Sequence, residues 1–188
     1  MTRRGWFKIP GLQDGDRTPA EQLMGLAPAL AVAKGASVLD LGCAEGAIAL
    51  EFAKAGAREV IGIELLQDHI NMARKVCKMH SQVSFVCAEL AHYINTHPSP
   101  RKFDIVLMLS VAHKLHDPGL MITFAAKSTR KLLAFRGPNR YVPWDGHLRS
   151  KFGKGSCHVP TLLKAEGLIE GETIEGSRGE CVQYRSRP

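Results

Sequence analysis

The sequence predicts an α/β fold: a doubly wound, mainly parallel seven-stranded sheet with helices on both faces and a C-terminal antiparallel hairpin. Three observations predict it. Short apolar runs alternate with amphipathic stretches along most of the chain, the pattern of βαβ units. The run Phe103 to Leu109 is apolar after Asp104, as a central strand buried on both faces should be. The last two strand-like runs flank a Gly-Ser-Arg-Gly turn, which suits an antiparallel pair.

The first 36 residues form a preface. Gly5 to Gly11 is aromatic and turn-rich. Thr18-Pro19-Ala20-Glu21 reads as a helix start, with Thr18 as cap, Pro19 at the first helical position and Glu21 completing a capping box. Pro28 should break or kink this helix. Ser37 to Leu41 is the first strand of the sheet, followed by a tight turn from Gly42 to Gly46. The helix from Ala47 to Ala55 ends at Gly56. Glu59 to Ile63 is the second strand, with Gln67 to Met79 its helix, and Gln82 to Cys87 is the third. A short helix, Leu90 to Asn95, stops before Pro98-Ser99-Pro100. After the fourth strand, Asp117-Pro118 caps a helix running to Ser128. Lys131 to Phe135 is the fifth strand, and residues 137–155 read as a long loop. A helix from Val159 to Glu166 precedes the final strands, Leu168 to Ile174 and Glu180 to Arg185.

Length and composition fit one globular domain, residues 1–36 forming a lid or substrate segment and residues 37–188 the core. Of 188 residues, 45% are hydrophobic and 23% charged, and no run reaches the length of a membrane span. The five cysteines are scattered, with no C-x-x-C pair. That argues against a disulfide framework and for a reducing cytoplasm. No spacing of Cys and His matches a structural zinc site, so no metal is expected. The net charge is +7, and from Arg130 to Lys154 seven Lys or Arg face the single acid Asp145. Such a stretch can meet RNA or another anion, or can simply be solvated surface.

Chemistry concentrates in Val38-Leu39-Asp40-Leu41-Gly42-Cys43-Ala44-Glu45-Gly46. A strand ends in an acid and turns through small residues into a helix, whose free N–H groups favour an anionic ligand group. A dinucleotide turn needs G-x-G-x-x-G. Here the spacing is Gly42-x-x-x-Gly46, and Asp40 would repel a pyrophosphate yet could hold an ammonium. That favours a nucleoside bearing an amino acid. Glu64 ends the second strand, where a carboxylate can accept both ribose hydroxyls. Glu89 follows the third, where it can accept from an adenine amino group. Three acids beyond successive strands make one ligand-binding edge.

These residues resemble the class I S-adenosylmethionine-dependent methyltransferases, whose fold is Rossmann-like. VLDLGCAEG is similar to that family's glycine-rich motif, IGIELL to the acidic end of its second strand, and VSFVCAEL to its third-strand motif. FDIVLMLSVAHKLHDP resembles its fourth strand and following loop. The resemblance implies that Asp40, Gly42, Ala44 and Gly46 surround the methionine part of S-adenosylmethionine, with Cys43 in the same turn. It implies that Glu64, beside Leu65, holds the ribose. Glu89, with the Cys87-Ala88 backbone, meets the adenine, and Leu109 and Ser110 close over the sulfonium. Ala44 departs from the usual glycine, and Glu89 from the commoner Asp.

His113, in the loop after the fourth strand, is the candidate catalytic base or acceptor guide, or else a residue that fixes the loop. His116 reads as structural and Lys114 as surface. Trp6, Phe7 and Trp144 could line the acceptor, and Arg17, Arg136, Arg140 and Arg149 could meet an anion. The motifs of base-amine, pyrimidine-C5 and catechol methylation are absent. A small-molecule or sugar-like acceptor, an RNA acceptor and a non-catalytic cofactor- or RNA-binding module stay open as functions, while the motif spacing argues against a nicotinamide-dependent oxidoreductase.

Overall fold

In the computed structural model of the protein, residues 5–138, 147–151 and 155–188 are described. Chain order begins with two short strands, β1 (Gly5–Phe7) and β2 (Gly15–Arg17), and two short helices, α1 (Pro19–Leu23) and α2 (Ala27–Ala31). Alternation follows: β3 (Ser37–Leu41), α3 (Ala47–Lys54), β4 (Glu59–Glu64), α4 (Gln67–Val76), β5 (Val83–Cys87), α5 (Leu90–Thr96) and β6 (Phe103–Leu109). Then come α6 (Pro118–Ser128), β7 (Thr129–Pro138), β8 (His147–Arg149), β9 (Ser156–His158), α7 (Val159–Ala165), β10 (Ile169–Glu175) and β11 (Glu180–Ser186).

Seven strands form one sheet in the order β10-β11-β7-β6-β3-β4-β5. From β7 to β5 the strands are parallel, and β11 is antiparallel to both neighbours. Alternation along each strand divides the core in two. Leu39, Leu41, Val106 and Met108 face α5, α6 and α7, while Val38, Ile105 and Leu107 pack with α2 and α3. The order reverses at β3 and β6, so a crevice opens beyond their C-terminal ends.

Local chemistry accounts for most element ends. Thr18 and Glu21 form the reciprocal capping box, and Pro28 starts α2 instead of ending a longer helix. Asp117 caps α6 through the Leu120 amide at 3.1 Å.

Three expectations are corrected. The second-strand helix stops at Val76, before Met79, because Met79 is 81% exposed and packs on nothing that would hold another turn. The fifth strand runs from Thr129 to Pro138, longer than expected, because β11 pairs with it from Leu132 to Pro138. The stretch read as a loop contains β8, which pairs antiparallel with β9 just beyond it.

At the N-terminal ends of the central strands, buried Asp104 gathers the base of the sheet. It accepts from the Ser37 amide at 3.0 Å and hydroxyl at 3.1 Å, and pairs with Arg58 (3.1 Å), Arg130 (3.2 Å) and Lys131 (3.4 Å). Burial opposes its charge, but these hydrogen bonds and cations outweigh it and hold the carboxyl below the usual range. A depressed folded-state pKa gives stability that is complete above about pH 4 and is lost as pH falls below it. We expect Asp104→Asn to cost about 2 kcal/mol at neutral pH, less than a fully buried pair because its cations are half exposed. Urea unfolding should show this loss and a shallower decline of stability in acid than in the wild type.

Candidate active site

The turn after β3 builds the site. Gly42, Ala44 and Gly46 all take left-handed backbone, with φ of 82°, 47° and 74°. At Gly42 a Cβ would come within 2.8 Å of the Val111 side chain, and at Gly46 within 2.8 Å of Ala73. Only glycine permits both the conformation and the approach. Ala44 holds the same region at a cost of about 1 kcal/mol.

The amides of this turn reach across to β4. Gly42 and Cys43 donate to the Ile63 carbonyl at 2.8 and 3.1 Å, and Ala44 donates to Glu64 Oε2 at 3.1 Å. Glu64 Oε1 accepts from the Leu66 amide at 3.0 Å, and His69 Nδ1 lies 3.7 Å from it. Burial works against the Glu64 charge, but nearby His69 and the hydrogen bonds from the Leu66 and Ala44 amides hold its pKa below the ordinary value.

A cavity of about 420 Å³ opens here. Asp40, Gly42, Cys43 and Ala44 line it from the first strand and turn, and Glu64 and Leu65 from the second. Glu89, Leu109 and Ser110 complete the side predicted from sequence. Gly46 and Ala88 are not lining residues. Gly46 instead caps α3, and the Ala88 amide donates to the Glu64 carbonyl at 2.9 Å. Glu89 caps α5, accepting from the Ala91 and His92 amides at 3.0 and 2.6 Å. A carboxylate has about four acceptor positions, so capacity remains.

Asp40 is 2% exposed, and burial pushes its carboxyl up to about 7, against the pull of Arg136 and with the push of Glu64. Such a group welcomes a cationic ligand. A larger cavity, about 610 Å³, lies at the opposite ends of the strands around Lys34, Asp104 and Tyr184. It is remote from the helix-starting turns where ligands bind such sheets.

The loop after β6 differs from the expectation. His113 is buried within the 3-10 turn Ala112–Lys114, its carbonyl accepts from the Lys151 amide at 2.6 Å, and it is not among the cavity's lining residues. Lys114, read from sequence as surface, is exposed and also lines the cavity. Successive side chains of so tight a turn diverge, so only one of the two can face the site. Lys114 Nζ stands 4.2 Å from the Trp6 ring centroid.

The preface closes one side, with Trp6 and Phe7 lining the cavity. Their anchor is Glu45, which sequence reasoning missed. Only 1% exposed, it accepts from the Trp6 amide at 2.8 Å, the Phe7 amide at 3.3 Å and Gln13 Nε2 at 3.1 Å. His69 Nε2 lies 3.5 Å from it. The available signal was an acid inside a turn of small residues. Arg17 and Arg136 are both buried and share Glu180. Arg149 lies in β8, and Arg140 and Trp144 fall outside the described residues.

Fold and cavity together define a doubly wound nucleoside-binding protein with an acidic, cation-accepting site. Residues 38–132 match the family described as "Methyltransferase domain". The chain belongs to that family, in its class I, S-adenosylmethionine-dependent form, and S-adenosylmethionine is its cofactor.

Among solved structures it resembles magnesium protoporphyrin IX methyltransferase from Synechocystis with bound cofactor, at a TM-score of 0.67 and 19% identity, covering 90% of this chain and 80% of that one. The N-methyltransferase NodS from Bradyrhizobium japonicum gives 0.64 and 19%, covering 89% and 84%. The [4+2]-cyclase SpnF gives 0.67 and 16%, covering 100% and 87%. A ribosomal protein L11 methyltransferase from Ruminiclostridium cellulolyticum is 27% identical over 90 residues, 48% of this chain and 28% of that protein. The match thus spans under a third of that relative's length.

If Glu45 fastens the preface, Glu45→Ala should free it. The expected result is faster hydrogen exchange at the Trp6 and Phe7 amides by about tenfold or more, with the β3 and β6 amides unchanged. Equal exchange in both proteins would remove Glu45 from that role.

Proposed function

We propose that the chain transfers a methyl group from S-adenosylmethionine to a small-molecule O or N nucleophile within the 420 Å³ cavity. The observation that carries this reading is the set of acids, Asp40, Glu64 and Glu89, on the wall of one cavity at the tips of adjacent parallel strands. The donor set fits the cofactor: a buried carboxyl for a cation, a second carboxylate for hydroxyls, and Leu65 and Leu109 for apolar contact. When bound, S-adenosylmethionine supplies an electrophilic methyl on a cationic sulfur.

In this reading Asp40 holds the ammonium, and the open backbone at Gly42, Cys43 and Ala44 admits the amino-acid part. Gly46 keeps the turn tight. Glu64 takes the ribose hydroxyls, and Glu89, with the Ala88 backbone, borders the adenine. Leu109 and Ser110 flank the reacting centre. Trp6 and Phe7 exclude water on the acceptor side, so residues 5–17 serve as the lid of a single domain. Buried His113 braces the loop that presents Lys114.

Support for a small acceptor is the partial enclosure of the cavity by residues of the chain's own preface. A protoporphyrin methyltransferase and an N-methyltransferase share the fold, which is consistent with such a substrate. The L11 methyltransferase relative makes a protein acceptor the outcome to test against. Among the described residues no helix is long and apolar enough to cross a membrane.

Incubation with methyl-labelled cofactor and fractionated cell extract should place label in the small-molecule pool. Label in RNA or protein alone would overturn the acceptor class. Glu64→Ala should weaken S-adenosylhomocysteine binding by about tenfold or more, read by calorimetry.

Asp40 gives a pH test. Its carboxyl titrates near 7 in the free protein, and the ligand's ammonium favours the ionised form. Affinity should therefore fall as pH drops below 7, approaching about tenfold per unit. Asp40→Asn should flatten that profile between pH 5.5 and 7.5.

A further inference from the structure

Besides its acids, the cavity is lined by two strongly basic side chains, Arg136 and Lys114. Arg136 is 2% exposed. Its Nη1 donates to the Gln22 carbonyl at 3.0 Å. Its Nε lies 3.5 Å from Glu180 Oε2 and has no hydrogen-bond acceptor among the described residues.

Glu180 is already engaged. Its Oε2 accepts from Arg17 Nη1 at 2.9 Å, and its Oε1 from the Ser110 hydroxyl at 2.9 Å. One buried carboxylate therefore serves two buried guanidiniums. Asp40 is the other acid whose field reaches Arg136, and the donor's ammonium claims it in the reading above. Lys114 adds a second cation, pressed on the Trp6 ring, with no ion pair to a described carboxylate. The residue as a whole is exposed, while the packing around its ammonium lowers its pKa. A buried guanidinium that shares its carboxylate and keeps one N–H without a hydrogen bond, and an ammonium with no ion pair to a described carboxylate, thus line the same cavity.

We infer that Arg136 and Lys114 form a subsite for a carboxylate of the methyl acceptor, so that the substrates are small organic acids with an apolar body. The inference rests on reading this cavity as the site of methyl transfer. A carboxylate suits it because the cavity lining presents both a guanidinium and an ammonium, the two cations that best pair with carboxylate oxygens. Trp6, Leu109, Val111 and Leu115 supply the apolar wall beside it. Arg136 is the last β7 residue paired with β6, opposite Leu109, and the Ser110 amide donates to its carbonyl at 2.7 Å, so its backbone is fixed next to the loop that flanks the reacting centre. The subsite selects and orients the acceptor. It takes no part in bond making.

The cofactor carries a carboxylate of its own, and the test separates the two sources. The full chain, saturated with S-adenosylhomocysteine, is titrated calorimetrically with benzoate, indole-3-acetate and hexanoate, and with the corresponding amides. At least one acid should bind about tenfold or more tightly than its amide. Arg136→Gln and Lys114→Gln should each erase most of that ratio, and Lys114→Gln, which leaves the neighbours of Asp40 in place, should change S-adenosylhomocysteine affinity by less than about threefold. Should Arg136→Gln fail to fold, Lys114→Gln decides alone.

If no acid outbinds its amide, the inference is overturned. It is also overturned if Lys114→Gln loses tenfold or more in S-adenosylhomocysteine affinity but binds 5′-methylthioadenosine, which lacks the amino-acid part, as the wild type does. Lys114 would then hold the cofactor. Failure of the wild type to bind S-adenosylhomocysteine would be a different result, overturning the donor site itself and this inference with it.

Discussion

The left-handed turn between Gly42 and Gly46 is the constraint on which the site depends. It places three backbone amides against β4, so the tips of β3 and β4 cannot move separately. Gly42 lies against Val111 and Gly46 against Ala73 and the Phe85 ring, which ties the same turn to the loop after β6, to α4 and to β5. A side chain added at Gly42 would push on Val111, and one at Gly46 on α4 and β5 at once. The acids at the strand tips thus hold a common geometry because the backbone between them is packed on every side. This is also why Ala44 is tolerated with φ at 47°: its amide bond to Glu64 offsets a modest local strain.

Two acids within six residues meet opposite fates, and the difference explains how the preface belongs to the site. Glu45 is saturated by peptide and amide donors from residues 6, 7 and 13, and so acts as a fastener. Asp40 is equally buried but is left near neutrality by desolvation, which keeps it responsive to a ligand's charge. On the other flank the Arg17–Glu180–Arg136 cluster joins β2, β11 and β7 across separations of up to 163 residues. Segments far apart in sequence therefore meet behind Ser110 and Arg136, which line the cavity. His69, between Glu45 and Glu64, lies where fastener and ligand-facing acid come together.

What the sequence made legible was chemistry settled within a few residues. The Thr18–Glu21 capping box, the Asp117-Pro118 helix start and the apolar β6 follow from spacing alone. So do Asp40 and Glu64 at strand ends, because a strand followed by a glycine turn fixes where its last side chain lies. Contacts at long sequence separation were not legible. Nothing in Gly42 to Gly46 says that Glu45 reaches back almost forty residues to Trp6. Choosing between His113 and Lys114 required the sense of rotation of a single 3-10 turn. The ends of β7 depended on its pairing with β11, and β8 on a pairing with β9 from within a segment whose composition reads as loop.

The same distinction governs the basic stretch after residue 130, which in sequence reads as a candidate nucleic-acid surface. In the fold it is dispersed. Arg130 and Lys131 are at the start of β7, paired with Asp104 at the base of the sheet. Arg136 is six residues further along an extended strand, about 20 Å away at the usual rise, and faces into the cavity. Arg149 belongs to the separate β8–β9 pair. A phosphate backbone is gripped by cations that share one accessible face. Among the described residues, two of these cations pair with a structural carboxylate while staying about half exposed or more, and Arg136 is buried. The charge that Arg136 brings to the site can meet only an anion small enough to enter the cavity.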